Sequence, residues 1–250
     1  MDDEEIAGAL VELSRSGRAR PRPKFQSVAG AHQYLKLYRL VRRFVPAGAR
    51  VLDWGAEGGH FSYFLARAGY RAAGYSFRGF EFATWLEDPD YQFTEGSPAE
   101  PVKLPYADAS FDAVASVGVL EHVRDTGGSE PASLQEIARV LRPGGVFVCY
   151  HFPNRASWIE LAASHRPGAH HHAHRFARAD IERLTRDAGL ELSYVERYGF
   201  LPRNSLARLP AALATSRRFA RAYDAADAAL GALFGPICQN WCFVARKPAG

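Results

Sequence analysis

The segment 50–59 places the strongest constraint on how this chain folds. A short apolar strand runs into an acid, Asp53, and then into a turn that contains Gly55 and Gly59. Glycine permits the backbone angles that so tight a turn requires, and it lets a ligand come close to the turn amides. A helix predicted over 60–68 follows, with its N-terminus towards whatever the turn binds. The pattern predicts a strand–turn–helix unit that cradles a ligand, although ordinary strand–helix turns and dinucleotide enzymes also contain it.

Strands and helices alternate along the rest of the chain, which predicts an α/β fold. Parallel strands joined by right-handed crossovers follow from such alternation. An amphipathic helix over 31–45 precedes the first strand, and a helical segment over 201–235 precedes the last one. The predicted strands span 49–54, 70–76, 91–94, 111–117, 145–151, 190–198 and 239–246, and the helices between them span 59–68, 79–87, 131–141 and 179–188.

Three later segments make the interpretation of the glycine turn more specific. They read DASFDAVAS at 108–116, VLEHV at 119–123 and LRPGGVFV at 141–148. In this order and at these separations, the chain resembles the class I S-adenosylmethionine-dependent methyltransferases, in particular the small-molecule methyltransferases with an LEHV segment. The resemblance covers residues 30–200 and the final strand. It implies a doubly wound, Rossmann-like sheet of seven strands, mostly parallel with an antiparallel final strand, and S-adenosylmethionine as cofactor.

The length of 250 residues suits one α/β domain with modest additions. Residues 1–24 pass from an acidic head to a segment rich in proline and arginine, which buries little apolar surface. We therefore expect 1–24 to be mobile and a single methyltransferase-like domain to occupy 25–250. Within that domain we expect a lid at 152–176 and a helical insertion at 201–235.

Composition narrows the class of partner. The formal net charge is +4, and the basic residues do not form lysine-rich runs with interleaved aromatics, which argues against nucleic-acid binding. The sequence shows neither a signal peptide nor zinc-like cysteine spacing, so we expect reduced thiols and a cytoplasmic protein. Segment 201–235 is either a solvated helical lid or, because arginines accompany leucines there, a membrane-surface element. A homodimer is compatible with the sequence.

The resemblance also implies a set of cofactor-binding residues. Asp53 and the glycine turn match the residues that hold the amino-acid end of the cofactor, but Glu57 replaces the middle glycine and either pairs with the cofactor ammonium or faces solvent. Ser76 stands where an acid receives the ribose hydroxyls, a change that costs about 1–3 kcal/mol unless Glu81, a turn later, compensates. The adenine is expected near 97–99, where the third acid of the family is also absent. The predicted set comprises Asp53, Gly55, Ala56, Glu57, Gly59, Ser76, Phe77, Ser97, Pro98, Ala99, Ser116 and Val117.

Three histidines are candidates for a role in the reaction cleft. His151 ends the fifth strand and is the first choice for a general base, since methyl transfer to a hydroxyl requires proton removal near neutrality. Its alternative role is a hydrogen bond that holds the loop at Asn154. His122 follows the fourth strand, at the sheet edge where α/β folds bind ligands, and it either transfers a proton or fixes the loop together with Glu121. His174 matches a His-Arg-Phe-like segment of similar family members and is placed on the substrate lid.

The histidines at 165, 170–172 and 174 look like a metal site at first sight. Consecutive side chains point in different directions, however, and no carboxylate stands at ligand spacing from them. We therefore expect no metal site.

Together these residues predict an S-adenosylmethionine-dependent methyltransferase. We expect it to act on an oxygen or nitrogen nucleophile of a small molecule, such as a secondary metabolite or a sugar-containing intermediate. Aromatic residues near the lid favour an acceptor with a ring or other apolar part; they are Phe152, Trp158, Tyr198 and Phe200. The altered cofactor segments leave a second interpretation open, in which a protein of this fold does not methylate and is either an enzyme with other chemistry or a silent partner subunit.

Overall fold

A single seven-stranded sheet organises the protein, in the order β3-β2-β1-β4-β5-β7-β6. The computed structural model describes residues 1–16, 25–77, 86, 88–203, 206 and 209–249. The pairs of β1 with β2, β1 with β4, β2 with β3 and β4 with β5 are parallel, whereas β7 runs antiparallel to β5 and to β6. The prediction of a mostly parallel sheet with an antiparallel final strand is confirmed. The strands are β1 Arg50–Trp54, β2 Arg71–Ser76, β3 Gln92–Glu95, β4 Phe111–Val117, β5 Leu141–Pro153, β6 Glu191–Tyr198 and β7 Asn240–Arg246.

Helices cover both faces of the sheet. One buried cluster joins one side of the sheet to α1–α4 and α9, and a second joins the other side to α5 and α7. These helices are α1 Asp3–Ser16, α2 Val28–Ala31, α3 Leu35–Phe44, α4 His60–Arg67, α5 Glu130–Val140, α6 Trp158–Ser164, α7 Arg178–Asp187, α8 Ala211–Ala214 and α9 Arg217–Leu233. Because the strand order reverses between β1 and β4, a crevice opens at their carboxyl ends. The register pairs Trp54 with both Tyr75 and Ser116 at that edge.

The N-terminal segment differs from the expectation of mobility over residues 1–24. Residues Asp3–Ser16 form α1, in which Ile6 and Leu10 are fully buried. Their spacing of four residues places both on one helix face. The sequence did not indicate this helix because its apolar face is short and lies between acidic residues and a segment rich in proline. The Nε atom of Arg42 donates to Asp3 Oδ1 at 2.8 Å and ties the helix to α3. Residues 17–24 lie outside the described residues, as do Glu81 and the predicted helix over 79–87 apart from Leu86.

The insertion over 201–235 is helical, as predicted, but several of its residues face the protein interior. The guanidinium of Arg203 donates to Ala29 O at 3.1 Å, to Asp224 Oδ1 at 2.8 Å and to Asp227 Oδ2 at 3.0 Å. Leu206 is buried, Arg221 pairs with Glu4, and Leu213 is exposed. These contacts hold the insertion against α2. Because Arg203, Leu206 and Arg221 make contacts within the protein, fewer basic and apolar side chains remain for a membrane-surface element. No helix within the described residues is long and apolar enough to span a membrane.

Candidate active site

The glycine turn after β1 is closed tightly against the loop after β4. Gly55 has a φ of +85°, and its N–H donates to Tyr75 O at 2.8 Å. A Cβ atom added to Gly55 would lie 2.3 Å from Val119 Cγ2, so even alanine would clash there. Ala56 is buried, Gly59 has a φ of +64° at the start of α4, and Glu57 is exposed on the turn. The predicted cradle is therefore present as a turn whose backbone only glycine fits at residue 55.

Asp53 lies fully inside the sheet below this turn. Its Oδ2 accepts a hydrogen bond from Ser62 Oγ at 2.7 Å, and Ser62 Oγ also lies 3.0 Å from the Tyr91 hydroxyl. Burial raises the pKa of Asp53 to about 7, although the hydrogen bonds from Ser62 oppose that rise. The carboxyl group thus changes protonation near neutral pH while it remains connected to the first turn of α4.

The residues predicted for the ribose and adenine lie at the next strand ends. Ser76 is buried at the end of β2 and is in register with Glu95 of β3. Glu95 is an acid that was not among the residues predicted from the sequence. Phe77 is half-buried, and residues 97–99 are exposed, with Ser97 Oγ accepting a hydrogen bond from Ala99 N at 3.3 Å. Glu95 lies beside the position where the acid of β2 is missing.

The end of β4 forms the opposite wall of the crevice. Ser116 is buried and its Oγ accepts a hydrogen bond from Leu120 N at 3.1 Å, which shapes the turn that follows. Val117 is half-buried, and Gly118, with a φ of +72°, donates its N–H to Tyr150 O at 2.9 Å. This turn brings the loop after β4 next to the end of β5.

His151 occupies a bulge in β5. Its φ is +66°, and the register with β7 shifts between Cys149 and Phe152. Histidine tolerates positive φ better than most side chains, and such bulges re-aim a side chain beside a site. The backbone N–H of His151 donates to the Tyr198 hydroxyl oxygen at 2.9 Å, and Nδ1 lies 2.9 Å from the same oxygen. Two contacts to one tyrosine therefore fix the imidazole.

A cavity of about 740 Å³ opens beside His151. Its described lining comes from α3, from the turn after β4, from the ends of β5 and β6, from the lid and from α9. The predicted cofactor residues are not among these described lining residues. Of the four aromatic residues predicted near the lid, Tyr198 lines it, whereas Phe152 is fully buried and stacked on Phe176.

The lid histidines occupy different positions from one another. His174 is exposed and is not among the described residues that line the cavity, whereas His170 and His172 do line it. Ligand atoms of Glu121, His122 and His172 all lie within 4.8 Å of one another. Spacing in the sequence did not indicate these carboxylates, because Glu121 comes from the turn after β4 and Glu160, which lies 3.0 Å from His172 Nδ1, stands twelve positions before it in the lid.

A second histidine–carboxylate pair at the cavity was missed altogether. His32 Nδ1 lies 2.7 Å from Asp224 Oδ2, and the His32 side chain is 1% exposed. His32 Nε2 is buried without a hydrogen-bond partner in the part of the chain that the structure describes. The two residues are 192 positions apart, so no local pattern in the sequence relates them.

Comparison with known proteins agrees with this geometry. A family model described as a methyltransferase domain matches residues 30–195. The ubiquinone biosynthesis O-methyltransferase of Xanthomonas axonopodis pv. citri (strain 306) is 30% identical over 192 residues, which cover 70% of this chain and 76% of that protein.

Solved structures share the fold at lower identity. The 1,6-didemethyltoxoflavin-N1-methyltransferase of Burkholderia thailandensis, crystallised with S-adenosylhomocysteine, has a TM-score of 0.55 at 18% identity and covers 99% of this chain and 91% of its own. The [4+2]-cyclase SpnF also has a TM-score of 0.55, at 19% identity, over 86% of this chain and 81% of its own. The family model spans the sheet from before β1 into β6, and on that match this chain belongs to the class I S-adenosylmethionine-dependent methyltransferase family.

Proposed function

We propose that the 740 Å³ cavity holds a small acceptor and that His151 removes the proton from its oxygen or nitrogen nucleophile during methyl transfer. The observation that carries this proposal is the bulge in β5. His151 has a φ of +66°, whereas an ordinary β-conformation would point its side chain in another direction. Two contacts to Tyr198 hold the imidazole in this orientation. Backbone conformations of this kind concentrate at functional sites.

The residues after β1 fit the cofactor. Gly55 lets the turn after β1 pack directly against Val119 of the turn after β4, and Asp53 supports the turn from below through Ser62. Gly55, Ala56 and Gly59 would hold the amino-acid end, and Ser76 together with Glu95 would receive the ribose. When bound, S-adenosylmethionine supplies a methyl group on a positively charged sulfur. The rest of the catalytic work falls to the side chains on the acceptor side.

The tyrosines behind His151 set its protonation. The Tyr150 hydroxyl donates to Gln33 O at 2.6 Å, and the hydroxyls of Tyr150 and Tyr198 are hydrogen-bonded to each other. If each hydroxyl donates towards Gln33, the Tyr198 oxygen accepts from Nδ1–H of His151. That direction leaves the proton on Nδ1 and the lone pair on Nε2, which is the form that a general base needs.

The acceptor remains to be identified by its chemistry. The name of the Xanthomonas relative supports an oxygen nucleophile, and the tyrosines of the lining support an acceptor with a ring. Incubation of the protein with methyl-labelled S-adenosylmethionine and fractionated small-molecule extracts tests this directly. Label in a small product, together with cofactor binding by calorimetry, is the expected result; absence of binding at millimolar cofactor would refute the proposal.

A second candidate function follows from the likeness to the cyclase SpnF. That structure demonstrates that this fold also carries chemistry other than methylation. In this chain Glu57, Ser76 and Ser97 differ from the residues that the resembled family has at these positions, and these differences favour a function without methylation. Cofactor binding without label in any product, under conditions where a known methyltransferase labels its substrate in the same extract, would favour this candidate over methyl transfer.

A further inference from the structure

We propose that Glu121, His122 and His172 form a binding site for a divalent first-row metal ion such as Zn²⁺. Two imidazoles and one carboxylate are ligand types that such ions accept. The binding itself does not depend on the proposed methyl transfer, whereas the role of the ion in the reaction rests on that proposed function.

The three ligands are assembled from segments that are far apart in sequence. Glu121 and His122 lie in the 3₁₀ turn Leu120–Thr126 after β4, and His172 comes from the lid. Their ligand atoms lie within 4.8 Å of one another, and the rings of His122 and His172 are 5.3 Å apart. Tetrahedral coordination at about 2.0–2.2 Å places ligand atoms about 3.4 Å apart. Closure of the site therefore requires pairs of ligand atoms to approach by up to about 1.4 Å, which is a shift of about 0.7 Å for each atom.

Each histidine is oriented by a carboxylate on its far nitrogen. His122 Nδ1 lies 2.9 Å from Asp125 Oδ2, and His172 Nδ1 lies 3.0 Å from Glu160 Oε1. A carboxylate accepts hydrogen bonds, so both Nδ1 atoms carry protons, and in the neutral form of each imidazole the lone pair lies on Nε2. Metal-binding histidines are held in this way by outer carboxylates, which fix the tautomer and the ring direction.

Glu160, which lies in the lid, makes the contacts that orient His172. It is 3% exposed, and its Oε2 also accepts the backbone N–H of His172 at 2.8 Å. Both oxygens of this buried carboxylate thus contact His172 and hold its ring in one orientation.

The cluster opens into the same cavity as the proposed base. Glu121, His122 and His172 line it together with His151. A Cβ atom on Gly118 would lie 3.7 Å from Glu121 Oε1 and 3.9 Å from the Cβ of His151, so one glycine separates the carboxylate from the base. Three protein ligands leave an open position, which is the pattern of catalytic and not of structural zinc sites.

The position of the cluster beside His151 indicates which class of ligand would occupy the open coordination position of the metal ion. An acceptor hydroxyl that takes it would become more acidic and would pass its proton to Nε2 of His151. The acceptor oxygen would then form a bond to the methyl carbon while the bond from that carbon to the cofactor sulfur breaks, and S-adenosylhomocysteine would leave. His170, whose ring is 5.2 Å from that of His172 and 6.4 Å from that of His122, borders the same position. The metal would thereby select acceptors with a hydroxyl or an adjacent pair of oxygens.

The test is Zn²⁺ titration by calorimetry of the full-length, tag-free protein after dialysis against EDTA. We expect one ion per chain, and a parallel titration with Co²⁺ to give the visible absorption of a site with nitrogen and oxygen ligands. His122→Asn and His172→Asn should each weaken Zn²⁺ binding more than tenfold, and Glu160→Gln should weaken it about 10–100-fold. His171→Asn is the matched control, because His171 is exposed in the same lid segment and lies outside the cluster.

Equal loss of affinity in His171→Asn, or Zn²⁺ binding that is unchanged in His122→Asn and His172→Asn, would overturn the proposal and indicate adventitious binding to surface histidines. Thermal unfolding of each variant confirms that loss of affinity is not loss of fold. Zn²⁺ binding without label transfer would retain the metal site and reject methyl transfer. Undiminished label transfer in EDTA-treated protein that binds no Zn²⁺ would do the reverse.

Discussion

Gly55 and Val119 are packed so closely that a single added methyl group would lie 2.3 Å from Val119 Cγ2. The contact joins the turn after β1 to the turn after β4, on either side of the crevice where the strand order reverses. The first turn is the one that we propose to hold the cofactor, and the second leads to Glu121 and His122. The contact therefore fixes the two turns relative to each other, and we expect a substitution in one turn to displace the other.

We predict that Gly55→Ala abolishes measurable cofactor binding and destabilises the protein. The substitution combines the clash with Val119 and a positive φ, and such strain costs about 1–3 kcal/mol. Isothermal titration with S-adenosylhomocysteine and thermal unfolding measure the two effects. Gly48→Ala is the matched control, since Gly48 has a φ of +71° but nothing within 4 Å of an added Cβ.

The contact with Val119 is tested by a double substitution. Val119→Ala should restore part of the stability lost in Gly55→Ala, because it removes the contacts at 2.3 and 3.0 Å but leaves Cβ of residue 119 at 3.2 Å and the backbone strain unchanged. If Gly48→Ala proves as damaging as Gly55→Ala to cofactor binding, the tight contact is not what makes residue 55 a glycine.

A second prediction concerns the missing acid of β2. Ser76→Asp should tighten S-adenosylmethionine binding roughly tenfold or more, because a carboxylate makes charge-assisted hydrogen bonds to the ribose hydroxyls. Calorimetry gives the change in Kd. Glu95→Gln in the natural background is the companion variant, since Glu95 is in register with Ser76. A weaker Kd in Glu95→Gln combined with no gain in Ser76→Asp would transfer the ribose contact to Glu95.

Asp53 predicts a pH dependence of stability. Its pKa rises from 3.8 to about 7 on folding, so its contribution is fully present below pH 3.8 and is lost as pH rises towards 7. Each pH unit in that window costs up to about 1.4 kcal/mol. Asp53→Asn keeps an acceptor for Ser62 and removes the ionisation. We expect the Tm of this variant to exceed that of the natural protein at pH 8 and to equal it near pH 4, and equal Tm values at pH 8 would contradict the assignment.

The glycine turn and the alternation of strands and helices followed from local patterns in the sequence, whereas the antiparallel final strand was implied by the resemblance to the methyltransferase family. A strand–turn–helix unit depends on residues within about ten positions of one another, so its signature is contiguous and readable. The pairs His32–Asp224 and Glu121–His172 are different, because each joins residues that only the completed fold brings together. The mobile N-terminus was wrongly expected for a related reason: the apolar face of α1 is short, and its burial depends on α2, α3 and α4, against which it packs.

The general base gives the last prediction. His151→Asn should lower kcat about 10²–10⁴-fold with little change in cofactor affinity. Asparagine tolerates positive φ, so the bulge at φ +66° is retained and the loss reports on the imidazole. Steady-state kinetics with the identified acceptor, across pH 5 to 9, separate a lost base from a weaker acceptor complex, which would raise KM at constant kcat.

Companion variants locate the proton path. Tyr198→Phe removes the oxygen that faces Nδ1 of His151, so it should lower kcat less than His151→Asn and alter the pH profile. His174→Asn should cost less than His151→Asn, because His174 is exposed and is not among the described residues that line the cavity. His32→Asn is the discriminating variant, since His32 borders the cavity and is paired with Asp224. An inactive His32→Asn beside a fully active His151→Asn would assign the base to the His32–Asp224 pair.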